Sequence, residues 1–223
     1  MEITGGKITV SQKPVASYSY TKAVFCLAAR AVALDNLAEW GALDAAGKQE
    51  REDQLFEQSL AAILTAYCAV EAVVNELYCE PTWFPGLAEG ACRRLTDTWP
   101  SVTRLTSPLA KADIAIAVVG IARPNDFWGS KAPQKLTLLN RLRNALVHHE
   151  PYEWIGGTFD PLEEKLTNSF PRALIWQARN PGYRWAGCLG GGCAKWASDT
   201  ARAFQDEFFS LLGCDYPAKN LPR

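Results

Sequence analysis

At 223 residues and 48% hydrophobic content, the chain has room for one large domain or two small ones around a real core. Its 23 basic and 24 acidic residues leave a net charge of −1, which excludes a surface coated in positive charge for gripping nucleic acid non-specifically. Any RNA-facing surface must be a local patch.

Residues 1–17 hold two short β-like runs, Glu2-Ile3-Thr4 and Lys7-Ile8-Thr9-Val10, around Gly5-Gly6, and predict a small N-terminal hairpin. The opening residues Met1 to Gly6 lack the basic start and apolar run of a signal peptide. A first helix is predicted over 18–40, with Val24, Leu27, Ala31, Leu34 and Ala38 at steps of three and four and Gly41 as a stop. A second is predicted over 52–78, where Phe56, Leu60, Ile63, Tyr67, Val70, Val74 and Leu77 alternate steps of four and three until Pro81. Its uncharged stretch, Gln58 to Val70, falls short of the about 20 apolar residues that a membrane span requires. The expectation is a soluble, cytoplasmic protein with no membrane partner.

Residues 81–130 are broken by Pro81, Pro85, Pro100, Pro108 and Pro124 and predict an insertion with short helices at 86–97 and 107–121, Ser107 capping the second. A third long helix is predicted over 132–149, ended by Glu150-Pro151. Residues 151–192, rich in Gly, Pro and Trp, predict a second insertion with a short helix at 161–167 capped by Asp160. A last helix is predicted over 193–212, its buried stripe being Ala197, Ala201, Phe204, Phe208 and Leu211 and its stop Gly213. Four long amphipathic helices with two decorated connections give an all-α antiparallel bundle in a single domain, 1–223.

The seven cysteines, Cys26, Cys68, Cys79, Cys92, Cys188, Cys193 and Cys214, are scattered and include no C-x-x-C pair. They predict thiols in a reducing compartment rather than a disulfide framework or zinc site. Cys188 and Cys193 flank a Gly-rich turn without two further ligands in view, so no metal or cofactor is expected. Gly190-Gly191-Gly192 lacks the lysine of a phosphate loop and predicts a flexible start to the last helix.

The two histidines, His148 and His149, are adjacent, in Arg141-Leu142-Arg143-Asn144-Ala145-Leu146-Val147-His148-His149-Glu150-Pro151. Leu136, Leu139 and Leu146 form one apolar stripe, and Arg143 occupies a place in it where another apolar side chain is expected. A guanidinium there must snorkel out, pair with a carboxylate or face a second chain. Arg141, Asn144 and His148 follow at steps of three and four and share another face. The carbonyl end of a helix favours a cation, and histidine is the side chain that exchanges protons near neutral pH. An arginine fork for phosphate, an orienting amide and an imidazole together suit metal-independent cleavage of a phosphodiester through its 2′-hydroxyl. Glu71 is the carboxylate expected to partner Arg143 where the arginine is ion-paired, and Glu71 and Asn75, one turn apart, give either a polar lining or a solvated helix edge.

Arg143-Asn144-Ala145-Leu146-Val147-His148 resembles the signature of the HEPN family (higher eukaryotes and prokaryotes nucleotide-binding), an arginine, four to six residues and a histidine, with a polar residue after the arginine. Val70-Glu71-Ala72-Val73-Val74-Asn75-Glu76-Leu77 is similar to the matching helix of bacterial members. The resemblance covers 18–80 and 130–213 and leaves both insertions unmatched. It implies a helical bundle that forms a homodimer, bringing two such motifs into one cleft. It further implies a metal-independent ribonuclease of the toxin or antiphage-defence kind, often paired with a nucleotidyltransferase antitoxin. A non-catalytic nucleotide- or partner-binding scaffold is the alternative. By resemblance Arg143 would contact phosphate, His148 would move the proton and Asn144 would organise the site. Arg141, on the face of Asn144 and His148, is a supporting candidate from its spacing, and His149, outside the motif, is either a supporting residue or a solvated or packing neighbour. Arg172, Arg179 and Arg184, interleaved with Trp176, Tyr183 and Trp185, predict a flap whose rings pack onto the bundle rather than an RNA-stacking surface.

Overall fold

Why the helices begin and end where they do is visible in their caps. The computed structural model describes residues 2–4, 7–9, 16–122, 125–148, 162, 165–166, 168–175 and 189–221. Two strands, β1 (Glu2–Thr4) and β2 (Lys7–Thr9), pair antiparallel with Ile3 opposite Ile8. They precede an all-α bundle.

Helix α1 spans Ala16–Leu34, and α2 is the short Leu37–Gly41. The single helix expected over 18–40 is therefore split. Asn36 accepts hydrogen bonds from the Ala38 and Glu39 N–H groups and starts a new helix, which stops the old one. Helix α3 covers Ala45–Cys79, seven residues earlier at its start than the periodicity suggests, because Asp44 accepts from the Gly47 N–H at 2.8 Å. Its stripe also differs at one end: Phe56 is 37% exposed and Leu55 is buried in its place.

Helices α4 (Glu89–Val102) and α5 (Pro108–Val119) both pack on α3. Their Leu95, Val102, Ala112, Ala115 and Ile116 are buried in the main core, so the 81–130 region supplies walls of the bundle rather than a decoration. Ser107 caps α5 as expected, and Gly120 ends it with φ +88. Helix α6 is Asn125–Gly129, α7 is Lys131–Val147 and α8 is Gly191–Leu212, closed by Gly213 at φ +71.

Helix α3 lies at the centre, packed by α1, α8 and α7. Ile63, Val70, Val74 and Leu77 of α3, Leu136, Leu139 and Leu142 of α7, and Phe204 and Phe208 of α8 are all fully buried. Part of α3 is long and apolar enough to cross a membrane by length and composition, with mean hydropathy 1.5 over an 18-residue window. Half of that window is buried inside the bundle, where the apolar side chains form core.

The glycines at the start of α8 are there for close packing, which corrects the expectation of a flexible start. A Cβ on Gly191 would lie 2.6 Å from the Val32 Cα and 2.9 Å from the Ala31 carbonyl oxygen, and one on Gly192 would overlap the Pro171 carbonyl. Asp35, between α1 and α2, accepts hydrogen bonds from the N–H groups of Gly191 and Leu174 at 3.1 and 3.0 Å. Leu162 and Leu166 are buried against the core, but most of the helix expected over 161–167 lies outside the described residues.

Candidate functional site

Helix α7 has two faces with different duties. Ala132, Leu136 and Leu139 point inward and are buried, and Arg143 continues their side of the helix one turn later. Its guanidinium carbon sits 5.6 Å from the centre of the Tyr67 ring on α3. The Arg143 Nη1 donates to the Asn144 Oδ1 at 2.8 Å. Arg143 is half-buried, with its charge held against an aromatic face and its fork directed along α7.

Asn144 and His148 lie on the outer side. The His148 N–H donates to the Asn144 carbonyl at 2.9 Å and closes α7, three residues before Pro151. His148 and Asn144 are exposed, as is Val147 at 47%. The structure thus joins Arg143 to Asn144, and Asn144 to His148, while the Arg143 and His148 side chains occupy different sides of one helix. Five residues turn an α-helix by about 140° net, so within one chain the arginine and the imidazole do not share a pocket. His149 lies outside the described residues.

Glu71 is half-buried on α3, one turn from Tyr67. Among the described residues it does not form an ion pair with Arg143, contrary to its expected role as direct partner. Both charges nonetheless act on the same groups. Burial, and then the Glu71 carboxylate, push the Tyr67 phenol up to about 12, with Arg143 opposing. The Cys68 thiol is raised by the same two causes in the same order, again opposed by Arg143. Glu71 and Arg143 are therefore electrostatic neighbours across the α3–α7 seam.

Asn75, a turn further, has a different partner. Its Oδ1 accepts from the Lys111 Nζ of α5 at 2.8 Å. Lys111 is only 3% exposed, and its carbonyl accepts from the buried Tyr78 hydroxyl at 2.6 Å. Asn75 is thus occupied in holding a buried ammonium and is separated in role from Glu71. Sequence reasoning passed over Lys111, although it stands alone as a cation in the apolar run Pro108–Val119, which is the signal of a long side chain needing a partner.

Arg141 is exposed on the outer face of α7 and lines a groove with Lys131, Lys135 and Lys165. Cys26, Cys68, Cys92 and Cys214 are free thiols. Among the described residues no three of His, Cys, Asp and Glu come together as a metal-ligand set. Cys188, Trp176, Arg179, Tyr183, Arg184 and Trp185 lie outside the described residues; Arg172 is exposed.

No family model, no curated protein and no solved structure matches the chain.

Proposed function

We propose that the chain is an HEPN-like, metal-independent endoribonuclease of the toxin or antiphage-defence kind, working as a homodimer. The observation that carries the reading is the linked trio at the exposed end of α7. Arg143 is bonded to Asn144, and Asn144 holds the turn that presents His148 to solvent. Arg143 and His148 face different sides of one helix, so a complete site needs two copies, whose α7 ends meet and set the arginine of one chain near the imidazole of the other. The exposed Val147 supplies apolar surface at that same end.

In this site the neutral imidazole of His148 takes the proton of the RNA 2′-hydroxyl while the 2′-oxygen attacks phosphorus. The bond from phosphorus to the 5′-oxygen breaks, and that oxygen leaves with a proton from the second copy's imidazolium. Arg143 faces the charge that builds on the phosphate oxygens. Asn144 positions the arginine. The products are a 2′,3′-cyclic phosphate and a 5′-hydroxyl, and no metal is required. A nucleotidyltransferase-type antitoxin and a cytoplasmic location fit this reading.

The test is purified protein with mixed single-stranded RNA in excess chelator. The expected result is cyclic-phosphate ends and a rate reduced by about 10²–10⁴-fold in His148→Ala. Light scattering should find a dimer. Cleavage unchanged in His148→Ala removes the mechanism.

A second reading, a non-catalytic nucleotide- or partner-binding scaffold, is favoured by the packing of Arg143 over Tyr67, which gives the arginine a structural duty in one chain. It expects thermal stabilisation by a nucleotide and no RNA turnover.

A further inference from the structure

The outer face of α7 carries a groove of about 610 Å³ that the trio does not use. It is closed on its other side by Lys165 and Asn168. Four cations line it, Lys131, Lys135 and Arg141 from α7 and Lys165 opposite, with the half-buried Leu138 as its apolar part. Among the described residues no carboxylate lines it.

All four cations are exposed, and among the described residues none is ion-paired. Elsewhere Arg51, Lys195 and Arg202 sit within 4 Å of Glu39, Asp199 and Asp206. For a chain of net charge −1, four cations in one groove with no ion-pair partner among the described residues are a local concentration that suits an anion. The neutral groups there are already engaged: the Thr137 hydroxyl donates to the Pro133 carbonyl, and the Ser169 hydroxyl donates to that of Lys165. What the groove offers a ligand is charge along its length and a strip of hydrocarbon.

The groove also has a direction. Arg141 and His148 are seven residues apart, which returns an ideal helix to within about 20° of the same side and advances it about 10 Å. An extended ligand lying over Lys131, Lys135 and Arg141 therefore runs towards His148. A repeating anion with apolar faces between its charges fits this combination, and single-stranded RNA is such a polymer.

We propose that this groove is the binding track for the sugar-phosphate backbone of single-stranded RNA, delivering it to the end of α7. The proposal rests on the nuclease reading for its RNA substrate and for what lies at the end of the track.

The experiment measures anisotropy of a fluorescent, fully 2′-O-methylated 12-mer, which lacks the 2′-hydroxyl that cleavage requires. Wild type is compared with the combined variant Lys131→Glu, Lys135→Glu, Lys165→Glu. A control with the same charge change, Lys22→Glu, Arg30→Glu, Arg104→Glu, places it on exposed cations outside the groove. The groove variant should bind at least tenfold more weakly, and its slope of log affinity against log salt should fall by about 2, as expected for three lost phosphate contacts. The control variant should bind like wild type, and thermal unfolding should show both triple variants folded. Equal weakening in both triple variants, wild-type affinity in the groove variant, or no binding by wild type would each overturn the track. Groove-dependent binding without cleavage of unmodified RNA supports the track and defeats the nuclease reading. Cleavage of unmodified RNA with binding indifferent to the groove does the reverse.

Discussion

The start of α8 and the end of α7 are both helix termini on the same bundle, and they are built in opposite ways. At the start of α8 the backbone of Gly191 meets the backbone of α1 with no room for a Cβ, and Asp35 accepts its N–H from a half-buried position. At the end of α7, Asn144, Val147 and His148 are exposed, and the His148 N–H closes the helix on the Asn144 carbonyl. The first junction spends its residue choices on fixing one helix against another. The second leaves an amide, an isopropyl group and an imidazole exposed, the amide holding only Arg143 among the described residues. Residues that serve the fold and residues available for chemistry are thus separated along the molecule, and substitutions can measure the separation.

The largest effect is expected at the tight junction. Gly191→Ala places a methyl against main-chain atoms that no rotamer change can move, and should cost about 2–3 kcal/mol. Gly41→Ala is its counterpart, since a Cβ there meets nothing within 4 Å, and should be neutral or slightly stabilising. Urea unfolding of the two variants measures the difference directly; equal midpoints would mean that the glycine at α8 is not a packing residue. Next comes Asp35→Ala, which strips an acceptor from the N–H groups of Leu174 and Gly191 and should cost about 1–2 kcal/mol in the same assay. Arg143→Ala is intermediate in kind as well as size. Loss of its contact with the Tyr67 ring should lower stability by about 1 kcal/mol, and a value near zero would release Arg143 from any structural role.

The seam beneath Arg143 makes a pH prediction. The Tyr67 phenol is raised to about 12 in the folded chain, chiefly by burial, against about 10 when unfolded. The folded state therefore holds the proton over a range where the unfolded state has released it, and stability should fall as pH rises from about 10 to about 12. Tyr67→Phe should flatten that part of the curve. Because Glu71 raises and Arg143 lowers the same phenol, Glu71→Gln should move its ionisation down and Arg143→Ala should move it up. The absorbance difference between each protein and its Tyr67→Phe version isolates this tyrosine from the other six; movement in the opposite directions would break the seam as described.

Much of the bundle was legible because period and punctuation agree. Val70, Val74 and Leu77 are buried as their spacing predicts, and Ser107 and Gly213 sit at the helix ends they mark. The reading failed where tertiary contacts decide. Leu55 rather than Phe56 is buried, and both give acceptable apolar patterns. Asp35-Asn36 breaks a helix that the apolar spacing continues through, because both side chains are taken by backbone N–H groups, Asp35's from segments more than 130 residues away. Three glycines in a row look like flexibility in one dimension, and only the position of α1 reveals a close approach. At the candidate site, the adjacency of Arg143 and Asn144 and the helix end at His148 could be read locally. The Tyr67 ring, the buried Lys111 that claims Asn75, and the cations of the α7 groove could not, since each depends on which helices meet.

The smallest expected stability change is the one most informative about function. His148 is exposed, and the bond that closes α7 comes from its backbone N–H, which any residue but proline supplies. His148→Ala should therefore change unfolding stability by less than about 0.5 kcal/mol, as surface substitutions generally do. If the imidazole is the proton carrier, the same variant loses RNA cleavage by orders of magnitude while its unfolding curve overlays wild type. That pairing of results cannot arise from a misfolded protein. The opposite pairing, a large stability loss with activity falling only in proportion to the folded fraction, would place His148 with Gly191 and Asp35 among the residues that build the fold. It would also erase the contrast between the two helix ends.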